Sequence, residues 1–270
     1  MIKSIIKLFN NGIISHHKQE IVLKKVLRGL SESNLKKSPP EIAAVIHRIV
    51  RKASGNNDPY KEIKKKYNDI CLNIYDKLEN MVKKSKKPLF EAMKLAIIGN
   101  IIDFGPNHSF DIIKTVMNLD KIKLSIDKSN YMFNDIKKSD IILYLADNAG
   151  EIVFDKLFLE KINHPNVFFA VRGKSVLNDV TKDDAYYIGL DKITTIIDTG
   201  QDIPGIDLET APKTFMDIYK KADLIISKGQ GNFESLSHIK NKNIYFLLMA
   251  KCELVANELG VNKGDIIVTN

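Results

Sequence analysis

Six short apolar runs recur in the second half of this chain, at residues 141–146, 167–171, 195–197, 224–227, 244–249 and 266–268. An uninterrupted apolar run of this length is what a strand buried on both faces requires. Helical or loop segments separate most of the runs, and that alternation specifies an α/β fold built on a parallel or mixed sheet. In open α/β sheets, ligands bind outside the carboxyl ends of the strands. The polar residues that follow each run are therefore where chemistry is to be sought.

Before about residue 137 the pattern is helical. Ser38-Pro39-Pro40-Glu41 places Ser at a helix N-cap, Pro at the first helical position and Glu three residues after the Ser. Ile42, Val45, Ile46 and Ile49 then mark one face. Asp58-Pro59 starts a second helix, with Ile63, Tyr67, Ile70, Ile74, Leu78 and Met81 along one side, and the lysine-rich stretch 83–88 ends it. A third runs through Phe90, Met93, Leu95, Ile97 and Ile98 to Gly99-Asn100, and residues 20–30 read as helical too. The expected architecture is a helical, bundle-like part over residues 1–137. A three-layer α/β/α, Rossmann-like domain with a mostly parallel sheet follows over 138–270.

A chain of 270 residues has ample core for one large or two modest domains. No stretch approaches the length of a membrane span, and the N-terminus, with Lys3 and Lys7 in its apolar run, is a poor signal peptide. Cys71 and Cys252 lie far apart and read as two buried thiols in a reducing cytoplasm. Charge is unevenly placed: residues 1–100 hold 21 basic against 9 acidic side chains, the remainder 20 against 24. The basic half could suggest nucleic acid, but its lysines lie between helix-face apolar residues, as in Glu62-Ile63-Lys64-Lys65-Lys66-Tyr67, with little aromatic interleaving. That pattern describes a solvated helix face, and neither nucleic acid nor a membrane is expected as a partner.

Four segments carry candidate chemistry. The run at 141–146 ends in Asp147-Asn148-Ala149-Gly150-Glu151, two oxygen-bearing side chains beside a glycine that permits a tight turn. Such a pair suits a hard cation such as Mg²⁺ or Mn²⁺; capping of the following helix is the alternative. The run at 167–171 leads into Arg172-Gly173 and then Asn178-Asp179-Val180-Thr181. Asp179 follows Asp147 by about one βαβ repeat, which places it on the neighbouring loop. Asp147, Asn148 and Asp179 thus form a candidate metal set, with N-capping the other role for Asp179. The third segment, Lys228-Gly229-Gln230-Gly231-Asn232-Phe233-Glu234, follows the run at 224–227. Its glycines allow backbone N–H groups near a phosphate and Lys228 adds a point charge, but it matches neither the P-loop nor the dinucleotide spacing; a flexible strand-to-helix turn explains the glycines alone. The fourth, Gly99-Asn100-Ile101-Ile102-Asp103-Phe104-Gly105, embeds Asn100 and Asp103 among apolar residues, where they either bond neighbouring backbone or face a site. The six histidines show no ligand spacing.

With these four segments in order, the chain resembles the DUF89 family of metal-dependent damage-control phosphatases, in its compact archaeal-type branch. The likeness runs from about Ser38 to the C-terminus. It implies a divalent metal (Mn²⁺, Mg²⁺, Co²⁺ or Ni²⁺) on Asp147, Asn148 and Asp179, with Lys228 on the phosphate of a small phosphorylated metabolite. Gly229, Gly231, Arg172 and Asn100 would assist in holding phosphate. Asp147, Asp179, Glu151 and Asp103 are the expected catalytic carboxylates. The Cys-x-x-Cys usual near the N-terminus of that branch is missing, the region reading Asn11-Gly12-Ile13-Ile14-Ser15-His16-His17. Another branch has been described as an S-adenosylmethionine-dependent carboxyl methyltransferase. That activity, or a non-catalytic metal and phosphometabolite sensor, is the alternative reading.

Overall fold

The computed structural model describes residues 2–10, 12, 14–34, 37–100 and 122–270. Asp103 lies outside the described residues. Six helices open the chain: α1 (Ile2–Asn10), α2 (His16–Ser31), α3 (Pro39–Ser54), α4 (Lys61–Leu72), α5 (Tyr75–Lys84) and α6 (Pro88–Gly99). The start expected at Ser38 is a complete capping box, in which the Ser38 backbone N–H and hydroxyl both donate to Glu41 Oε2, at 3.0 and 2.8 Å. The helix expected from Asp58 to Met81 is two, because the chain turns at Asn73 and the Ile74 N–H bonds back to the Cys71 carbonyl at 3.2 Å.

The second half alternates as its apolar runs require: β1 (Leu124–Asp127), α7 (Ser129–Lys138), β2 (Ile142–Leu145), α8 (Glu151–Ile162), β3 (Val167–Val171), α9 (Lys182–Tyr187), β4 (Thr195–Asp198), α10 (Lys213–Lys221), β5 (Leu224–Lys228), α11 (Gly229–Leu236), β6 (Ile244–Met249), α12 (Glu253–Leu259) and β7 (Ile266–Thr269). The sheet order is β1-β7-β6-β5-β2-β3-β4, parallel throughout except for the antiparallel β6–β7 pair. All six apolar runs are strands. β1 escaped detection because Leu124-Ser125-Ile126-Asp127 alternates at an edge, half-buried and exposed by turns.

Each face of the sheet is covered. Ile142, Tyr144, Phe169 and Ile226 pack with α4, α5, α6 and α8 in one cluster, whereas Leu143, Leu145, Ile225 and Leu248 pack with α10, α11 and α12 in another. A third cluster, with Val22, Val26, Ile46 and Val50, joins α1, α2 and α3. The change of sequence pattern near residue 137 does not divide the packing: β1 precedes it yet belongs to the sheet, and α4–α6 share one core with α8. Cys71 is buried in that core while Cys252 is only half-buried.

Lys64 departs from the expected solvated face. It is buried on α4, with Nζ 2.8 Å from Asp184 Oδ2 and 3.0 Å from Asp58 Oδ2. Burial works to lower its pKa, but the two carboxylates prevail and hold the ammonium charged. Asp184 also caps α9, accepting from the Thr181 N–H and hydroxyl at 3.0 and 2.8 Å. This ion pair thus fastens the helical layer to the loop that carries Asp179. Lys64→Met leaves Asp184 buried without its counter-charge, and urea unfolding should show a loss of about 3–5 kcal/mol.

Candidate functional site

Strand β2 has parallel neighbours on both sides, β3 reached through α8 and β5 on the other, so the order in which successive strands are laid down reverses between β2 and β5. Such a switch point opens a crevice beyond the carboxyl ends of the two strands. Asp147 and Asn148 follow β2, and Gly229 follows β5. At Gly229 (φ +78°) a Cβ would collide with the Asp147 carboxylate, so only glycine lets the two strand ends meet. Gly150 (φ +77°) turns the chain into α8, and its N–H donates to Asn68 Oδ1 of α4 at 2.6 Å.

The Asp179 loop is stitched to this turn by backbone: Val180 N–H to the Asp147 carbonyl and Ala149 N–H to the Asn178 carbonyl, both 2.9 Å. Asp147, Asn148 and Asp179 therefore converge, as their strand-end positions require. Asn100, from the end of α6, donates its Nδ2 to Asp147 Oδ2 and to Glu151 Oε2, each at 2.7 Å. Asn148 Nδ2 donates to Asp147 Oδ2 at 2.6 Å, and Asn148 Oδ1 accepts from Asn178 Nδ2 at 2.7 Å. Asn100 Oδ1 is buried with no hydrogen-bond partner among the described residues.

Three residues expected on substrate face inward instead. Lys228 is fully buried, its Nζ donating to the Ala96 carbonyl (2.9 Å), Glu151 Oε1 (2.7 Å) and Asp155 Oδ1 (2.5 Å). Three acceptors consume all three ammonium protons, so Lys228 is the internal counter-ion of the site floor and has no proton left for a phosphate. Glu151, likewise buried, accepts from Lys228, Asn100 and Asn148 and is placed to position them rather than to exchange protons with a ligand. Arg172 spends its guanidinium on Asp179 Oδ2 (Nε, 2.6 Å), the Gly205 carbonyl (2.8 Å) and Asn232 Oδ1 (3.0 Å), and stands 3.9 Å from Asp147 Oδ1. Gly231 packs against Pro204, where a Cβ would strike the Pro204 carbonyl.

Above this floor lies a cavity of about 400 Å³, lined by Asp147, Asn148 and Asp179 together with Gln230, Glu234 and Lys251. Pro39 and Pro40 of α3 supply apolar wall. Lys251 is the one cationic side chain on this wall among the described residues, and its field acts on Asp147. The sequence held its signal: Lys251 stands two residues past β6, as Asp147 stands two past β2, and the strand-end rule applied to that run would have found it.

The buried electrostatics are unbalanced. Asp147, Glu151, Asp155 and Asp179 face two buried cations, Arg172 and Lys228. Burial, then the Glu151 charge, push Asp147 above the usual carboxylate range despite Lys251, Arg172 and Asn100. Burial drives Asp179 up to about 7 against the pull of Arg172, and Asp155 up to about 7 against Lys228. Among the described residues no three His, Cys, Asp or Glu side chains are grouped to hold a metal. The candidate set contains only two carboxylates, with an amide oxygen beside them. Its donors are all hard oxygens, set among more buried acids than buried cations, and on that chemistry the residues fit a hard divalent cation.

A crevice at the switch point of a mostly parallel sheet, with the acids Asp147, Asp179 and Glu234 and the amide of Asn148 on its wall, defines the class of protein. The fold matches a crystal structure of a DUF89 family protein from Pyrococcus horikoshii with a TM-score of 0.87 and 34% identity, over 99% of this chain and 93% of that one. A damage-control phosphatase of the same organism is 40% identical over 241 residues, 87% of this chain and 83% of the relative. An uncharacterized protein of Methanocaldococcus jannaschii is 40% identical over 240 residues (85% and 79%), and a damage-control phosphatase of Archaeoglobus fulgidus 33% identical over 234 (84% and 80%). The model of the damage-control phosphatase ARMT1-like domain family matches residues 1–267, and the chain belongs to that family. Among the described residues no helix is long and apolar enough to cross a membrane.

The raised Asp179 and Asp155 fix a sign for stability. A carboxylate whose folded pKa lies above its unfolded value keeps more protons when folded, so its stabilisation is complete below pH 4 and is lost as pH rises through about 7. In chelator, unfolding free energy should fall from pH 5.5 to pH 8, by up to about 1.4 kcal/mol per pH unit for each acid. Asp179→Asn should flatten that slope, as followed by denaturant unfolding across the pH range.

Proposed function

We propose that the protein is a metal-dependent phosphomonoesterase acting on small phosphorylated metabolites, sugar phosphates or damaged phosphometabolites among them. One observation carries the reading: two buried carboxylates, Asp147 and Asp179, share a cavity wall with a lysine at the switch point of the sheet. Family membership and the printed names of two relatives, both damage-control phosphatases, support the same activity.

Asp147, Asn148 and Asp179 would hold the cation, which when bound neutralises phosphoryl charge and favours nucleophilic attack at phosphorus. Each has a fixed support. Arg172 orients Asp179 through its Nε, Asn100 orients Asp147, and Asn178 engages the Asn148 oxygen. Lys228 holds Glu151, and Glu151 in turn accepts from both amides, so the polar floor is set before a ligand arrives. Pre-set donors and charges of this kind stabilise developing charge without reorganisation. Lys251 takes the phosphate-binding role that sequence reading gave to Lys228, because it lies on the cavity wall with its side chain exposed. The 400 Å³ cavity suits a small metabolite.

Hydrolysis of p-nitrophenyl phosphate in the presence of Mn²⁺, Mg²⁺, Co²⁺ or Ni²⁺ tests the reading. Wild type should turn over only with a divalent cation, and Asp147→Ala should lose at least about 1000-fold in kcat, the cost of removing a central charge-stabilising group. Lys251→Ala should raise KM for the phosphate ester by about tenfold or more. Absence of metal-dependent turnover by the wild type would refute the assignment.

A further inference from the structure

Three carboxylates line the cavity among the described residues, and the scheme above uses two of them. The third, Glu234, lies on α11, the helix that begins at the point where Gly229 meets Asp147. It stands five residues beyond Gly229, which is about 7.5 Å along the helix axis. Its side chain lines the same cavity as Asp147 and Asp179, on the α11 side.

The surroundings of Glu234 differ from those of the other two acids. Asp147 and Asp179 are tied to Asn100, Asn148 and Arg172, whereas no ion pair reaches Glu234 among the described residues. Its one hydrogen bond in this set comes from a neutral amide, Gln230 Nε2 to Oε1 at 2.7 Å. That amide cannot turn over freely, because Gln230 Oε1 accepts from the Lys251 N–H at 2.9 Å, which fixes Nε2 toward Glu234. Gln230 thus pins one carboxyl oxygen as an acceptor and leaves the other available to carry a proton. The charged groups around Glu234 are Glu258 on α12 and, on the cavity wall, Lys251, Asp147 and Asp179. Burial, and then the like charge of Glu258, raise its pKa, with the Gln230 bond opposing them.

We propose that Glu234 is the general acid that protonates the leaving oxygen of the phosphate ester. This rests on the phosphomonoesterase reading. The bond between phosphorus and the leaving oxygen breaks, and its electron pair stays on that oxygen, which takes the proton from Glu234 and departs as the alcohol. The phosphoryl group passes to water as dihydrogen phosphate, which loses a proton to solvent, and Glu234 regains one from solvent. A group in this role contributes about 100- to 10,000-fold, and only where the leaving oxygen needs the proton.

The test compares phosphate esters of alcohols and of phenols of graded acidity, with p-nitrophenyl phosphate at the acidic end, in the metal-loaded wild type, Glu234→Gln and Glu234→Asp. In Glu234→Gln, log kcat should fall more steeply with leaving-group basicity, with alkyl phosphates losing about 100-fold more than p-nitrophenyl phosphate. Glu234→Asp, which keeps the acid, should recover part of the wild-type slope. An equal loss on all esters in both variants, or no loss on alkyl phosphates, overturns the assignment. Failure of the wild type to hydrolyse any ester would instead count against the phosphatase reading itself.

Discussion

A single buried ammonium holds the floor of this cleft together. Lys228 is completely enclosed, yet its charge is met by Glu151 and Asp155, and it also lies 6.0 Å from the centre of the Tyr144 ring. Charges at this depth persist only when paired and hydrogen-bonded. Tyr144 donates to the same Asp155 oxygen at 2.7 Å, which adds a bond from the sheet side. The remaining Glu151 oxygen then accepts from Asn100 and Asn148. This buried pairing thereby helps to set where Asp147 and Asn148 stand.

The topology explains why these residues meet at all. Strands β2 and β5 are neighbours in the sheet, although residues 146–223 separate them in the chain, and their carboxyl ends deliver Asp147 and Lys228 to one point. The helical layer contributes as much as the sheet. Asn68 and Lys64 on α4 grip the Gly150 turn and the Asp184 cap, and Asn100 leaves the end of α6 for the Asp147 carboxylate. The site belongs to a layered whole, which is why α4–α6 and the sheet share one apolar cluster.

Much of this was legible in the sequence, for definable reasons. The central strands, buried on both faces, cannot alternate, so their apolar runs stood out, as did the short run of the edge strand β4; β1 alternates and did not. Asp147, Asn148 and Asp179 were readable because the carboxyl end of a parallel strand has a fixed relation to the crevice. Side-chain direction was not readable. Lys228 ends a strand just as Lys251 follows one, yet the first turns into the core toward Glu151 and Asp155 and the second faces the cavity. Both are lysines at the carboxyl end of a parallel strand, one as its last residue and one two residues beyond it, and the acids on α8 draw the first inward. Lys64 carries the same lesson, since its partner Asp184 lies 120 residues away.

The central claim is that a cation and a phosphate meet at this strand-end cleft, with Lys228 kept out of direct contact. Diffraction from crystals grown with Mn²⁺ and inorganic phosphate, recorded at the manganese absorption edge, tests it most directly. The account predicts one strong anomalous peak bounded by Asp147, Asn148 and Asp179, with phosphate oxygens on the side of Lys251 and the Lys228 ammonium still on Glu151 and Asp155. Manganese bound elsewhere, or a phosphate seated on Lys228, would contradict it.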